Sequence, residues 1–160
     1  KSELSYSFCE CTENFLAYKP ASHRHTSEIA EQFSKLYGEL IKLTFTPHLV
    51  PMKRGMLVTG YASLTKEASA EELLELYKEY YKGEYFVRIL NKGVYPETKS
   101  VAGSNFIDIG IATDKETGRV IVLSAIDNIG KGASGQGIQN LNLMFGIDEK
   151  AGLSVSGLYL

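Results

Sequence analysis

Apolar residues at Ile29, Phe33, Leu36, Tyr37, Leu40 and Ile41 recur every three or four positions, with Glu31, Gln32, Lys35 and Glu39 between them. That period gathers the apolar set on one stripe and predicts a helix over about 27–42. A second helix should start at Ser69, a capping residue, with Glu71 and Glu72 in its first turns. Leu73, Leu74, Leu76, Tyr77, Tyr80 and Tyr81 supply its expected buried face, and Lys82-Gly83 its C-terminal cation and glycine cap. Ile138, Leu141, Met144 and Phe145 suggest a third helix ending near Gly146. The apolar and aromatic stripes of these helices are expected to be core.

Strand patterns fill the intervals. Residues 4–17 are aromatic-rich and alternate loosely, so they read as a strand. Thr44 to Val50 is a short strand interrupted by Pro47 and stopped by Pro51. Met56 to Leu64 and Tyr85 to Leu90 follow the same reading. Asn105 to Thr113 and Arg119 to Ala125 are apolar and β-branched, joined by the hairpin connection Asp114-Lys115-Glu116-Thr117-Gly118. Roughly six strands and three helices, with strands adjacent in sequence late in the chain, predict an α+β fold with a largely antiparallel sheet. Residues 1–160 read as a single domain, with no repeat or linker.

Composition narrows the classes. Net charge is −2 and no basic run occurs, which excludes the electrostatic footprint of a nucleic-acid binder. No apolar run reaches the ~18 residues of a membrane span, and no secretory leader pattern is present. Cys9 and Cys11, placed on one strand face by the alternation, neither anchor a disulfide framework nor complete a zinc site, so no metal is expected and a reducing cytoplasm fits. The chain opens on Lys1 in the middle of an apparent element, which suggests a piece of a longer protein.

Two stretches carry chemistry. His23-Arg24-His25-Thr26-Ser27-Glu28-Ile29 holds two of the three histidines, an arginine and a carboxylate at a loop entering a helix. Imidazole exchanges protons near neutral pH, and guanidinium binds carboxylate or phosphate in a bidentate way. Thr26 or Ser27 is the expected cap, with Glu28 in the first turn; a capped helix with a solvated His-Arg-His in front is the bland alternative. Gly130-Lys131-Gly132-Ala133-Ser134-Gly135 matches G-x-G-x-x-G after a strand and before a helix. It is no dinucleotide fingerprint, because a Rossmann unit needs a parallel strand after the helix and too few residues remain. It is either a structural turn or a loop whose backbone approaches a ligand.

The ordered set His23-Arg24-His25-Thr26-x-Glu28-Ile29, Phe45-Thr46-Pro47-His48-Leu49-Val50-Pro51-Met52-x-Arg54-Gly55, Gly103-Ser104-Asn105, Ala125-Ile126-Asp127-Asn128-x-x-Lys131-Gly132-Ala133-Ser134-Gly135-Gln136 and Gln139-Asn140-x-Asn142-Leu143-Met144-Phe145-Gly146 closely resembles the N-acetyl-gamma-glutamyl-phosphate reductase family. The resemblance implies the substrate-binding and association domain of an NADPH-dependent enzyme of arginine biosynthesis. Its sheet would be largely antiparallel and mixed, with helices packed on one face, as in the C-terminal domains of glyceraldehyde-3-phosphate and aspartate-semialdehyde dehydrogenases. An N-terminal Rossmann domain would hold most of the NADPH, and subunits would form a homodimer or homotetramer in the cytoplasm. The family's nucleophile lies in Gly-Cys-Tyr-Pro-Thr, which is absent here; Cys9 and Cys11 match no part of it, so these residues alone should be inactive.

By that resemblance His25 is the expected proton-transfer residue and His23 the alternative. Arg24, Glu28 and Arg54 are candidates for orienting the acyl-phosphate substrate, although Arg54 in its basic turn could equally be solvated. His48, between Pro47 and an apolar pair, is expected to be a packed structural histidine. Gly135 and Gln136 match the loop that approaches the nicotinamide in related dehydrogenases. A relative acting on another acyl phosphate, and a non-enzymatic oligomerisation module, remain the competing readings.

Overall fold

The computed structural model describes Leu4 and residues 7–159. Contacts group the chain into two compact units, Lys1–Lys53 and Arg54–Leu160.

In the first unit the expected long strand is instead a short helix α1 (Phe8–Cys11) and a two-residue strand β1 (Leu16–Ala17), while Ser5 and Tyr6 lie outside the described residues. Cys9 and Cys11 therefore share no strand face. Two positions apart on a helix, they point to nearly opposite sides. β1 pairs antiparallel with β2 (His48–Leu49), all that forms of the expected 44–50 strand. Between them runs α2 (His25–Tyr37). It stops short of residue 42 because Gly38 takes φ +88°, and the Gly38 N–H closes on the Ser34 carbonyl. The Ile41 N–H then donates to Ser34 Oγ. The α2 stripe is not core: Leu36 and Leu40 are 79% and 81% exposed, and no described residue of this unit is buried. A two-strand ladder offers no opposing layer wide enough to cover a 13-residue helix.

The second unit is built on a four-stranded sheet in the order β3 (Met56–Ser63), β6 (Arg119–Ile126), β5 (Ile107–Asp114), β4 (Val87–Ile89). Only β4–β5 is parallel, so the sheet is mixed and largely antiparallel, as expected. The β5–β6 hairpin turns at Asp114, whose carboxylate accepts from the Glu116 and Thr117 N–H groups and the Thr117 hydroxyl. Helix α3 (Ala70–Tyr80) begins in the reciprocal Ser69–Glu72 capping box. It buries Leu74 against Ile111 and Val120, with Leu73 and Tyr77 beside it, whereas Leu76 and Tyr80 of the expected buried face are exposed. On the other sheet face Gly110 leaves room for Pro96, whose Cδ would lie 2.9 Å from a Cβ there. Helix α4 (Thr98–Val101) occupies part of the expected 91–99 loop. Across β4 and β5, Asp108 is buried beneath Arg88, whose Nε and Nη2 reach its two oxygens at 2.5 and 2.9 Å.

The glycine-rich stretch winds as a π-helical turn, Gly130–Ser134, with N–H groups reaching back five residues: Gly132 to Asp127 and Ser134 to Ile129. It runs into α5 (Gly135–Met144), and no strand follows among the described residues. The third helix thus exists, but its stripe is inverted. Gly135, Gln139 and Asn142 are buried, while Ile138, Leu141 and Met144 face outward.

Candidate functional site

The first unit gathers His23, Arg24, His25 and Glu28 at the start of α2. Neither Thr26 nor Ser27 caps it: the helix already begins at His25, Ser27 Oγ donates to the Arg24 carbonyl, and Thr26 Oγ1 has no hydrogen-bond partner among the described residues. The cap is His23, whose Nδ1 accepts the His25 backbone N–H at 3.1 Å. A histidine can do this only with Nδ1 unprotonated, so its neutral form carries the proton on Nε2. Its ring meets Tyr18, His25 and Phe45 edge-on, at 5.6, 4.8 and 5.5 Å between centroids. Burial among these rings, then the charges of His25, Lys19 and Arg24, lower its pKa and keep it neutral at pH 7. The His25 ring makes no hydrogen bond among the described residues, and Arg24, His25 and Glu28 are exposed. His48 is also exposed rather than packed in a core, and leans on Phe15 at 5.0 Å.

In the second unit Arg54 and Gly135 belong to one network whose centre the sequence reading missed. That centre is Asp127, with no exposed side-chain area. Its Oδ1 accepts from Ile129 N, Gly130 N and Arg54 Nη2 at 2.9, 2.8 and 3.1 Å. Its Oδ2 accepts from Gly103 N at 2.5 Å and faces Arg54 Nε at 2.8 Å. Burial pushes the carboxyl pKa up, but the Gly130 and Gly103 N–H groups, Arg54 and Ile129 outweigh it and hold the group ionised below the usual carboxylate range. Asn128 completes the clamp, its Oδ1 accepting the Gly55 N–H at 2.6 Å. Arg54 is therefore neither loose nor simply solvated: an ion pair sets its plane and leaves its side chain one-third exposed.

Gly135 is buried. Its N–H is spent on the Gly130 carbonyl, and a Cβ would stand 2.4 Å from Asn105 Oδ1. Gln136 is half-buried and donates to Asn140 along the helix. The part of the turn open to solvent is Gly132-Ala133-Ser134, where no side chain extends more than one heavy atom past Cβ. A flat ligand could therefore approach the backbone there. Asp127 was visible only as an Asx residue at a strand end before glycines, the usual signal for a side chain that bonds the backbone two residues on. Among the described residues no cluster of three His, Cys, Asp or Glu is arranged to hold a metal, and no helix is long and apolar enough to cross a membrane.

A four-stranded mixed sheet of this order recurs in solved dehydrogenase structures. Aspartate semialdehyde dehydrogenase from Francisella tularensis has a similar fold (TM-score 0.66, 16% identity, 84% of this chain and 40% of that one). So does aspartate semialdehyde dehydrogenase II from Vibrio cholerae (TM-score 0.62, 15% identity, 76% and 36%). The semialdehyde dehydrogenase dimerisation domain family matches residues 1–128, and the chain belongs to that family. More particularly, it is 63% identical over 160 residues to the N-acetyl-gamma-glutamyl-phosphate reductase of Acetivibrio thermocellus, covering 100% of this chain and 46% of that protein. It is 55% identical over 159 residues to the reductase of the same name from Caldicellulosiruptor saccharolyticus, covering 99% and 46%. The chain spans about half the length of the curated relatives it matches.

Proposed function

We propose that this chain is the substrate-binding and association part of a cytoplasmic reductase that converts N-acetyl-gamma-glutamyl phosphate to N-acetylglutamate semialdehyde in arginine biosynthesis. The observation that carries this is the likeness, along the whole chain, to reductases of that name. A cysteine thiolate outside residues 1–160 attacks the acyl carbon and phosphate leaves; a nicotinamide cofactor, NADPH in our reading, supplies the hydride when bound.

His25 handles the proton at the substrate oxygen. Its ring is exposed and makes no hydrogen bond among the described residues, whereas His23 has Nδ1 tied to the helix start and serves to orient its neighbour. Arg24 and Glu28, exposed in the same turn, orient the substrate. Arg54, its plane fixed by Asp127, presents its remaining donors to the phosphate. Gly135 and Gln136, with the open backbone of Gly132–Ser134 before them, would meet the nicotinamide.

Association into a homodimer or homotetramer uses surfaces that this chain leaves bare. All eight residues of edge strand β3 are exposed, with Leu57 at 51% and Tyr61 at 65%. The outward stripe of α5 suits a domain preceding these residues.

The test is NADPH oxidation by the full-length protein with N-acetyl-gamma-glutamyl phosphate, beside aspartyl phosphate as competitor. Turnover confined to the former is expected. Equal turnover of aspartyl phosphate would move the assignment to a related semialdehyde dehydrogenase, and no turnover of either would leave an association module.

A further inference from the structure

Gln139, buried in α5, accepts two hydrogen bonds on one oxygen: Asn105 Nδ2 at 2.9 Å and Lys131 Nζ at 2.8 Å. Its amide nitrogen donates to Glu149 at 3.1 Å. Lys131 belongs to the π-turn, so its side chain doubles back over the Phe86 ring, 5.5 Å from the centroid, to reach the helix that the turn opens. Among the described residues no carboxylate lies within ion-pair distance of its ammonium. Burial lowers its pKa, the Glu149 and Glu84 charges opposing.

Asn105 is 3% exposed, and its buried Oδ1 has no hydrogen-bond partner among the described residues. Such an orphan is costly and calls for a reason. Here the carboxamide is held from its nitrogen end by Gln139, and its oxygen fills the space where a side chain on Gly135 would stand. The helix start is thus fixed on both sides, by Asn105 behind Gly135 and by Lys131 across the turn. π-turns recur at functional segments because the wider loop re-aims a stretch of backbone, and that aim must be held.

We propose that Lys131, Asn105 and Gln139 are positioning residues that hold the Gly132–Ser134 backbone in one geometry for the nicotinamide cofactor. This rests on the proposed reductase function. None of the three touches the ligand; each acts through the turn.

The experiment compares the full-length protein with Lys131→Met, which removes the donor and keeps the length, and Lys131→Arg, which restores a cationic donor. KM for NADPH, kcat and melting temperature are measured for each. Lys131→Met should raise KM for NADPH about tenfold, the scale lost with one hydrogen bond from a charged group, with kcat changed less and the melting temperature nearly kept. Lys131→Arg should recover part of that loss. A lower melting temperature with KM unchanged would make the network merely structural and overturn the role, as would no change in either. Should Lys131→Met fail to fold, Lys131→Gln, a shorter neutral donor, is read by the same criteria. An unaltered protein that oxidises no NADPH with any acyl phosphate removes the reductase reading itself and this role with it; normal turnover with an unmoved KM removes this role alone.

Discussion

Replacing Asp127 by Asn keeps shape and volume and removes only the charge and one acceptor, which makes it a sharp test of the clamp. Oδ1 serves three donors and Oδ2 two, so the amide takes the orientation with its carbonyl at the Oδ1 position. Its NH2 then stands against the Gly103 N–H, where the distance was 2.5 Å, and against Arg54 Nε, where it was 2.8 Å. A buried N–H facing a donor costs about 1–3 kcal/mol. Breaking a buried ion pair costs about 3–5 kcal/mol, reduced here because Arg54 is one-third exposed and can turn to water. With the ion-pair loss cut to about 2 kcal/mol by that exposure, the sum to expect is about 3–5 kcal/mol. Amide hydrogen exchange of β5 and β6 reads this unit directly, and their opening free energies should fall by that amount, with the Gly103 amide losing protection further. A loss below about 1 kcal/mol, or an unchanged Gly103 amide, would refute the claim that Asp127 organises the turn.

Acid should do by titration what that substitution does by chemistry. The Asp127 pKa is lowered in the fold, so its contribution is complete above the unfolded value of about 3.9 and is lost as pH falls through the folded one. His23, also lowered, contributes fully above about 6.5 and loses that contribution as pH drops from there through its folded value, so urea midpoints should fall in two steps on acidification, first below about 6.5 and again below about 3.9. Gly135→Ala should destabilise the second unit by about 1–3 kcal/mol through overpacking on Asn105, and a neutral effect on the urea midpoint would show that the turn yields. In the full-length protein His25→Asn should abolish turnover, whereas His23→Asn should lower it partially and fray the start of α2 in amide exchange; the reverse ranking would exchange their roles. Arg24→Ala should raise KM for the acyl phosphate about tenfold or more with kcat less affected, and an unchanged KM would clear it of substrate contact.

Residue order alone determined the α+β class with a largely antiparallel sheet, the β5–β6 hairpin with its Asp114 turn and the Ser69 cap. These follow from local rules: periodicity, capping chemistry and turn geometry act within a few residues. The places where such rules misled depend on what stands opposite. The α2 stripe has the spacing of a core helix and remains exposed, and α5 buries Gln139 and Asn142 while Ile138, Leu141 and Met144 face outward. Periodicity records which residues share a face, and only neighbours decide whether that face is covered. His23 displaced Thr26 and Ser27 as cap because α2 starts earlier than the capping residues suggested, a choice made by an imidazole reaching forward two positions. The clamp at Asp127 was hidden for a different reason. It joins Arg54, Gly103 and Gly130 to Asp127, the farthest 73 positions away, and no local pattern brings together groups that only the closing of the sheet makes neighbours.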